Sequence, residues 1–175
     1  MAPRKGLVQV FTGDGKGKTT AAAGLVLRAL GHHFRVFVVV FMKGDYPYGE
    51  WATLAKLPGV KIVMFGLKDF CDPRNVKPAE KKEAQKAFNM GREAMLSGKY
   101  DLVVLDEVNV AVGWKLIELS DIIKLLDEKP ENVELILTGR YADEEIIKRA
   151  DLVTEMRKIK HPYDAGIAAR EGIEY

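Results

Sequence analysis

Thr12-Gly13-Asp14-Gly15-Lys16-Gly17-Lys18-Thr19-Thr20 is the stretch whose residue types and spacing speak most directly of chemistry. Gly13, Gly15 and Gly17 let a backbone turn tightly and approach an anion closely, with N–H groups and the positive end of a following helix facing it. Lys18 supplies a point charge to phosphate oxygens, and the Thr19 hydroxyl is a ligand type suited to Mg²⁺. Asp14, Lys16 and Thr20 complete the loop as expected nucleotide contacts. Such loops usually carry a further glycine five residues before Gly17, where this chain has Thr12. The core Gly17-Lys18-Thr19 stands where phosphate binding requires it.

A second group of candidates closes Leu102-Val103-Val104-Leu105-Asp106-Glu107, an apolar run ending in two carboxylates. Acids at the carboxyl end of a buried strand reach a metal ion or its waters, so Thr19, Asp106 and Glu107 form the expected metal set. Spacing leaves open which carboxylate stands closer. A phosphate loop fixes a nucleotide and not a reaction. No Asn-Lys-x-Asp guanine motif occurs. Glu107 is placed as an ATPase glutamate would be, and Arg140, Arg149 and Arg157 are candidates for an arginine-bearing lid. The residues by themselves lead to an ATP-dependent enzyme with an open second substrate.

These groups need a scaffold, and the rest of the chain supplies one. Strand-length apolar runs at Leu7–Thr12, Arg35–Phe41, Val60–Phe65, Asp101–Asp106, Val133–Thr138 and Asp151–Met156 alternate with helical stretches. Most runs lack polar alternation, as expected for a parallel sheet covered on both faces. Helices are predicted at Lys18–Leu30, ending at Gly31 as a left-handed cap, and at Glu80–Leu96. Shorter ones are predicted at Gly49–Leu57, Ser120–Glu128 and Ala142–Ala150. In the second helix Ala84, Ala87, Phe88, Gly91, Ala94 and Met95 share one face, while Lys81, Lys82, Lys86 and Arg92 read as solvated. The tail from Arg157 to Tyr175 reads as ordered loop with a short closing segment.

With 175 residues, one domain spanning 1–175 is expected, burying roughly 70% of its unfolded surface. Lys plus Arg number 27 and Asp plus Glu 25, a near-balance that argues against nucleic acid as an obligatory partner. Cys71 is the single cysteine, which favours a reducing compartment and excludes an internal disulfide. No run approaches the ~20 apolar residues of a membrane span, and residues 1–6 carry no leader pattern. A cytoplasmic protein without membrane association is the expectation.

Thr12–Thr20, Leu105-Asp106-Glu107, Thr138-Gly139-Arg140, Lys160-His161-Pro162-Tyr163-Asp164-Ala165-Gly166 and Glu171-Gly172-Ile173-Glu174-Tyr175 follow one another in that order. Taken together they closely resemble the ATP:corrinoid adenosyltransferases of the CobA/BtuR/CobO type, from about Leu7 to Tyr175. The resemblance accommodates Thr12, since the family's loop has the same form. It implies an α/β P-loop NTPase fold, RecA-like, with a mostly parallel sheet and helices on both faces. It implies transfer of the 5′-deoxyadenosyl group of ATP to the Co(I) of a reduced corrinoid (cobalamin, cobinamide or cobyrinic acid a,c-diamide), releasing triphosphate.

Mg²⁺ or Mn²⁺, a homodimer, and a flavoprotein or other reductant come with the resemblance. So does ATP seated in the reverse of the usual P-loop orientation. By position, Arg140 and His161 match nucleotide contacts, Arg28 matches a corrinoid-facing position, and Asn109 and Tyr163 read as structural. Leu67 and Phe70, in Phe65-Gly66-Leu67-Lys68-Asp69-Phe70, match the apolar residues that displace the lower cobalt ligand, with a spacing one residue longer than usual. Some relatives carry an N-terminal cover; with the first strand starting near Leu7, a more open corrinoid is expected here. A regulatory ATP-binding module, or an ATPase that remodels a partner, is the competing expectation.

Overall fold

Valine, isoleucine and leucine dominate six short segments that pair side by side in a computed structural model describing residues 5–44, 48–68 and 71–175. These are β1 (Val8–Thr12), β2 (Val36–Val40), β3 (Val60–Met64), β4 (Leu102–Asp106), β5 (Glu134–Thr138) and β6 (Leu152–Glu155). They form one sheet in the order β3-β2-β4-β5-β1-β6, and every pairing is parallel. The carboxyl ends therefore share one edge, where α/β sheets bind ligands.

Strand residues alternate between two packed layers. Val36, Val38, Val40, Val104 and Ile136 pack with Ala22, Ala23, Val26 and Ala29 of α1 (Lys18–Gly31). Phe37, Val39, Val103, Leu105 and Leu137 face the other layer. That layer holds Ala84, Ala87, Phe88 and Met95 of α3 (Pro78–Leu96), Ile122 and Leu125 of α5 (Leu119–Glu128), and Ile146 of α6 (Glu144–Arg149). The predicted α3 face is the buried one, and Lys81, Lys82 and Lys86 are exposed.

Each predicted strand is present, trimmed by a residue or two at its ends. α2 is confined to Gly49–Leu54, and α6 begins after Asp143, whose carboxylate accepts the N–H of Glu145 at 2.9 Å. The Gly31 cap is corrected. Gly31 belongs to the helix, and His33 takes the left-handed conformation with φ 61°. Sequence patterning also missed α4 (Val108–Gly113), which is too short for a helical period to show, and a 3₁₀ turn over Pro162–Ala165.

β5 lies between β1, which feeds the glycine loop, and β4, which ends in the acid pair. A side chain at the end of β5 is thereby inserted between the two halves of the predicted site.

Candidate active site

The loop leaves β1 at Gly13 (φ 95°) and enters α1 through Gly17 (φ 110°), both in the left-handed half of conformational space. Gly15 meets a different demand. A Cβ there would lie 2.7 Å from the Met156 carbonyl oxygen and 2.8 Å from that of Arg157. The Gly15 N–H donates to Met156 O at 2.6 Å. This corrects the expectation that all three glycines present free N–H groups to phosphate: that of Gly15 ties the loop to the chain leaving β6. α1 has no side-chain cap at its N-terminus and no acid in its first turn, which leaves its first N–H groups and its positive end for an anion.

Lys18 is buried, and its ammonium donates to Gly15 O at 2.6 Å. Burial pulls its pKa below that of an ordinary lysine, with Arg140 adding to the effect; Glu107, Asp14 and Asp106 oppose it. It is a desolvated cation held by a loop carbonyl, a group that gains when an anion arrives.

Asp106 is fully buried at the end of β4. Its Oδ1 accepts from the hydroxyls of Thr19 (2.9 Å) and Thr138 (2.7 Å), and its Oδ2 from Lys43 Nζ (2.9 Å). Thr138, the last residue of β5, also accepts the N–H of Glu107 at 2.9 Å. Glu107 adopts φ 66°, costly for a non-glycine residue, and lies between β4 and α4. Burial raises its carboxyl pKa, Asp106 adds to the rise, and Lys43, Lys18 and Arg140 oppose it. Lys43 lies 3.7 Å from Glu107 Oε1 and 4.5 Å above the ring of Tyr48. Burial alone would lower the Lys43 pKa, but Asp106 and Glu107 outweigh it and hold the ammonium charged.

These groups surround a cavity of about 410 Å³. Gly15–Thr20, Lys43, Glu107 and Arg140 contribute polar and charged groups to its lining, and Met42, Tyr48, Val110, Trp114 and Tyr141 contribute apolar and aromatic ones. Ile173 and Glu174 of the tail also line it. The tail is fastened there by Lys16 Nζ, 3.3 Å from Glu174 Oε1. Arg170 donates its backbone N–H and guanidinium to the same carboxylate, and with Lys16 these bonds hold the Glu174 pKa at about 2. Such a space suits a ligand with a polyanionic end and a planar, less polar body.

Of the predicted residues, Gly15, Lys16, Gly17, Lys18, Thr19, Thr20, Glu107 and Arg140 line the cavity. Gly13 and Asp14 build the turn behind it, where the Asp14 carbonyl accepts a long 3.5 Å contact from Arg140. Asp106 stands behind Thr19 as a buried anchor. His161 is outside the cavity lining, and its Nδ1 accepts the Tyr163 N–H at 3.1 Å, capping the 3₁₀ turn. Arg28 is exposed in the last turn of α1, at the end away from the loop. Leu67 is 38% exposed and borders a small pocket with Met42, Gly66, Cys71 and Glu80. Phe70 lies outside the described residues.

Sequence reasoning missed Lys43 altogether and assigned Thr138 no role. The available signal was position, since each lies at or just beyond the carboxyl end of a buried strand. Among the described residues no three His, Cys, Asp or Glu side chains gather as a self-sufficient metal cage. Thr19, Asp106 and Glu107 instead place a few hard oxygen atoms beside the N-terminus of α1.

The model of the family described as ATP:corrinoid adenosyltransferase BtuR/CobO/CobP matches residues 4–175. The corrinoid adenosyltransferase of Escherichia coli (strain K12) is 36% identical over 171 residues, covering 98% of this chain and 86% of that protein. Corrinoid adenosyltransferase CobA of Salmonella typhimurium is 37% identical over 171 residues, with the same two shares. A corrinoid adenosyltransferase from a Sinorhizobium species is 37% identical over 173 residues, covering 98% and 81%.

Proposed function

The chain belongs to the ATP:corrinoid adenosyltransferase family, and from that premise we propose that its cavity binds ATP and directs the 5′ carbon of the ribose to the Co(I) of a reduced corrinoid. The electron pair of Co(I) forms the Co–C bond while the C5′–O bond breaks, and triphosphate departs with the bonding electrons. Co(I) has no proton to lose, so no general base is required. What the protein must provide is stabilisation of charge gathering on the leaving group.

The observation that carries this reading is a gathering of positive charge: Lys18, Lys16 and Arg140 line the cavity together with the first turn of α1, whose N-terminus has no side-chain cap. Lys18 exchanges the Gly15 carbonyl for a phosphate oxygen. Arg140 and Lys16 neutralise further oxygens, and Tyr48, Trp114 and Tyr141 shelter the nucleoside from water. A triphosphate leaving as one unit presents its charge to all of these cations together. The reading seats ATP with its ribose turned toward the corrinoid, the reverse of a phosphoryl-transfer enzyme.

The oxygen donors fit Mg²⁺ or Mn²⁺, ions held by one or two carboxylates together with substrate phosphates. Thr19 and Glu107 would hold the ion, with Asp106 orienting the Thr19 hydroxyl. When bound, it supplies Lewis-acid stabilisation of the departing triphosphate.

The proposal includes one domain over 1–175 acting as a homodimer in the cytoplasm, supplied with electrons by a flavoprotein or another reductant. Leu67 and Phe70 are kept as corrinoid contacts. Arg28 and His161 have no support from the cavity lining and drop out of the first rank. The test is incubation with chemically reduced cobalamin and MgATP. A light-sensitive Co–C product with intact triphosphate is expected; ADP and orthophosphate alone would overturn the reading.

A further inference from the structure

Lys43 lines the cavity beside the acid pair and supplies neither a phosphate contact nor a metal ligand in the proposed transfer. Its ammonium is 2.9 Å from Asp106 Oδ2 and 3.7 Å from Glu107 Oε1, and its side chain is only 13% exposed. The chain takes trouble to put it there. After Phe41 donates its N–H to the Asp106 carbonyl, Met42 turns through φ 61°, and the N–H groups of Lys43 and Gly44 both donate to Phe65 O, at 3.1 and 3.3 Å. A Cβ on Gly66 would lie 2.8 Å from both the Met42 carbonyl carbon and the Gly44 nitrogen, so the loops after β2 and β3 brace each other backbone to backbone. A left-handed methionine persists only where its surroundings fix it. Here they aim the following lysine at the acid pair.

Two carboxylates beside a polyanion cavity would repel that anion. They also attract any divalent cation whether or not nucleotide is present. An ammonium shared between them relieves both problems.

We propose that Lys43 is a positioning residue that holds the place of the divalent cation, neutralising the Asp106–Glu107 pair while the cavity is empty and yielding to the metal only when the triphosphate arrives with it. The inference rests on the metal role given to Thr19 and Glu107. Its physical basis is competition. Metal alone must displace a resident ammonium into a cavity already bearing Lys18 and Arg140. Metal with triphosphate brings the negative charge that keeps the displaced ammonium in place. Metal and triphosphate therefore bind cooperatively, with a coupling that is the same read from either ligand.

The experiment uses the whole protein without ATP or corrinoid, with Mn²⁺ alone as one probe and Mn²⁺ with inorganic tripolyphosphate as the other, free Mn²⁺ being read by electron paramagnetic resonance. K43Q keeps a hydrogen-bond donor for Asp106 and removes the charge; K43M removes both. The expected result is Mn²⁺ binding at least about tenfold tighter in K43Q than in the unaltered protein, with reduced coupling between Mn²⁺ and tripolyphosphate. A purely structural lysine would weaken both ligands when replaced. Mn²⁺ affinity that is unchanged or weaker in K43Q overturns the proposal. E107Q separates the two layers of inference. If it leaves Mn²⁺ binding intact, the metal site itself is misassigned; if it abolishes binding while K43Q gives no tightening, the role of Lys43 alone fails.

Discussion

Thr19 Oγ1 donates to Asp106 Oδ1 at 2.9 Å, joining the first turn of α1 to the end of β4 across 87 residues of sequence. Thr138 reaches the same oxygen from β5 at 2.7 Å. The glycine loop and the acid pair are thus fastened together, and a displacement of one is felt by the other.

Thr138 is the centre of that fastening, because it donates to Asp106 and accepts from the Glu107 N–H. Thr138→Val keeps the shape and removes the hydroxyl, leaving a buried carboxylate short of a donor and a backbone N–H without an acceptor. A loss of about 1–3 kcal/mol is expected in urea denaturation, with kcat falling as well. Thr138→Ser should restore most of both. A Thr138→Val protein as stable as the unaltered one would show that the bridge carries no load.

Lys18 presents the opposite balance. Its burial is unfavourable in the empty protein and useful only when an anion is bound. Lys18→Met should leave the thermal midpoint of the empty protein unchanged or higher, while transfer activity falls at least about a hundredfold. Turnover close to normal would contradict the role given to this lysine.

The lowered pKa of Lys18 also sets a direction for pH. Bound triphosphate favours the ammonium, so affinity is full below the pKa of the free enzyme and declines as pH rises through it. The decline should begin below 10.5, the value of an ordinary lysine. The same burial means that the charged lysine opposes folding below its folded-state pKa, an effect relieved as pH rises. Calorimetric titration of tripolyphosphate from neutral to alkaline pH reads the first effect. A profile flat up to the ordinary lysine value would refute it.

Much of this arrangement was legible beforehand, and the reason differs from residue to residue. The strands announced themselves because both faces of Val36–Val40 and Leu102–Asp106 are buried, which demands unbroken apolar runs. The Gly15–Thr20 loop showed because its glycines, lysines and threonines stand next to one another in the sequence, so their spacing is readable without the fold. Lys43 did not show, because the acids it contacts are far away in sequence and the pairing of β2 with β4 brings them together. His161 matches a nucleotide contact by position, yet its Nδ1 accepts a local hydrogen bond from the Tyr163 N–H within the tail. α4 escaped because a helix of 6 residues after a left-handed Glu107 is too short to show a period.

Gly15→Ala tests whether the loop's seat on the chain after β6 matters. The added methyl would stand 2.7 Å from Met156 O, an atom of the backbone that cannot simply swing aside. The loop must lift, the Gly15–Met156 hydrogen bond is lost, and tripolyphosphate affinity should fall at least about tenfold with a lower thermal midpoint. Ordinary affinity and stability together would mean that the loop is free of this contact.

ATP carrying heavy oxygen at the 5′ bridging position gives the most direct test of the transfer itself. Attack by Co(I) at the ribose carbon sends that oxygen away with triphosphate, so mass spectrometry should find all of the label there and none in the adenosyl product. Label retained on the nucleoside would mean that a phosphorus–oxygen bond had broken instead, contradicting the orientation and leaving group assigned to this cavity.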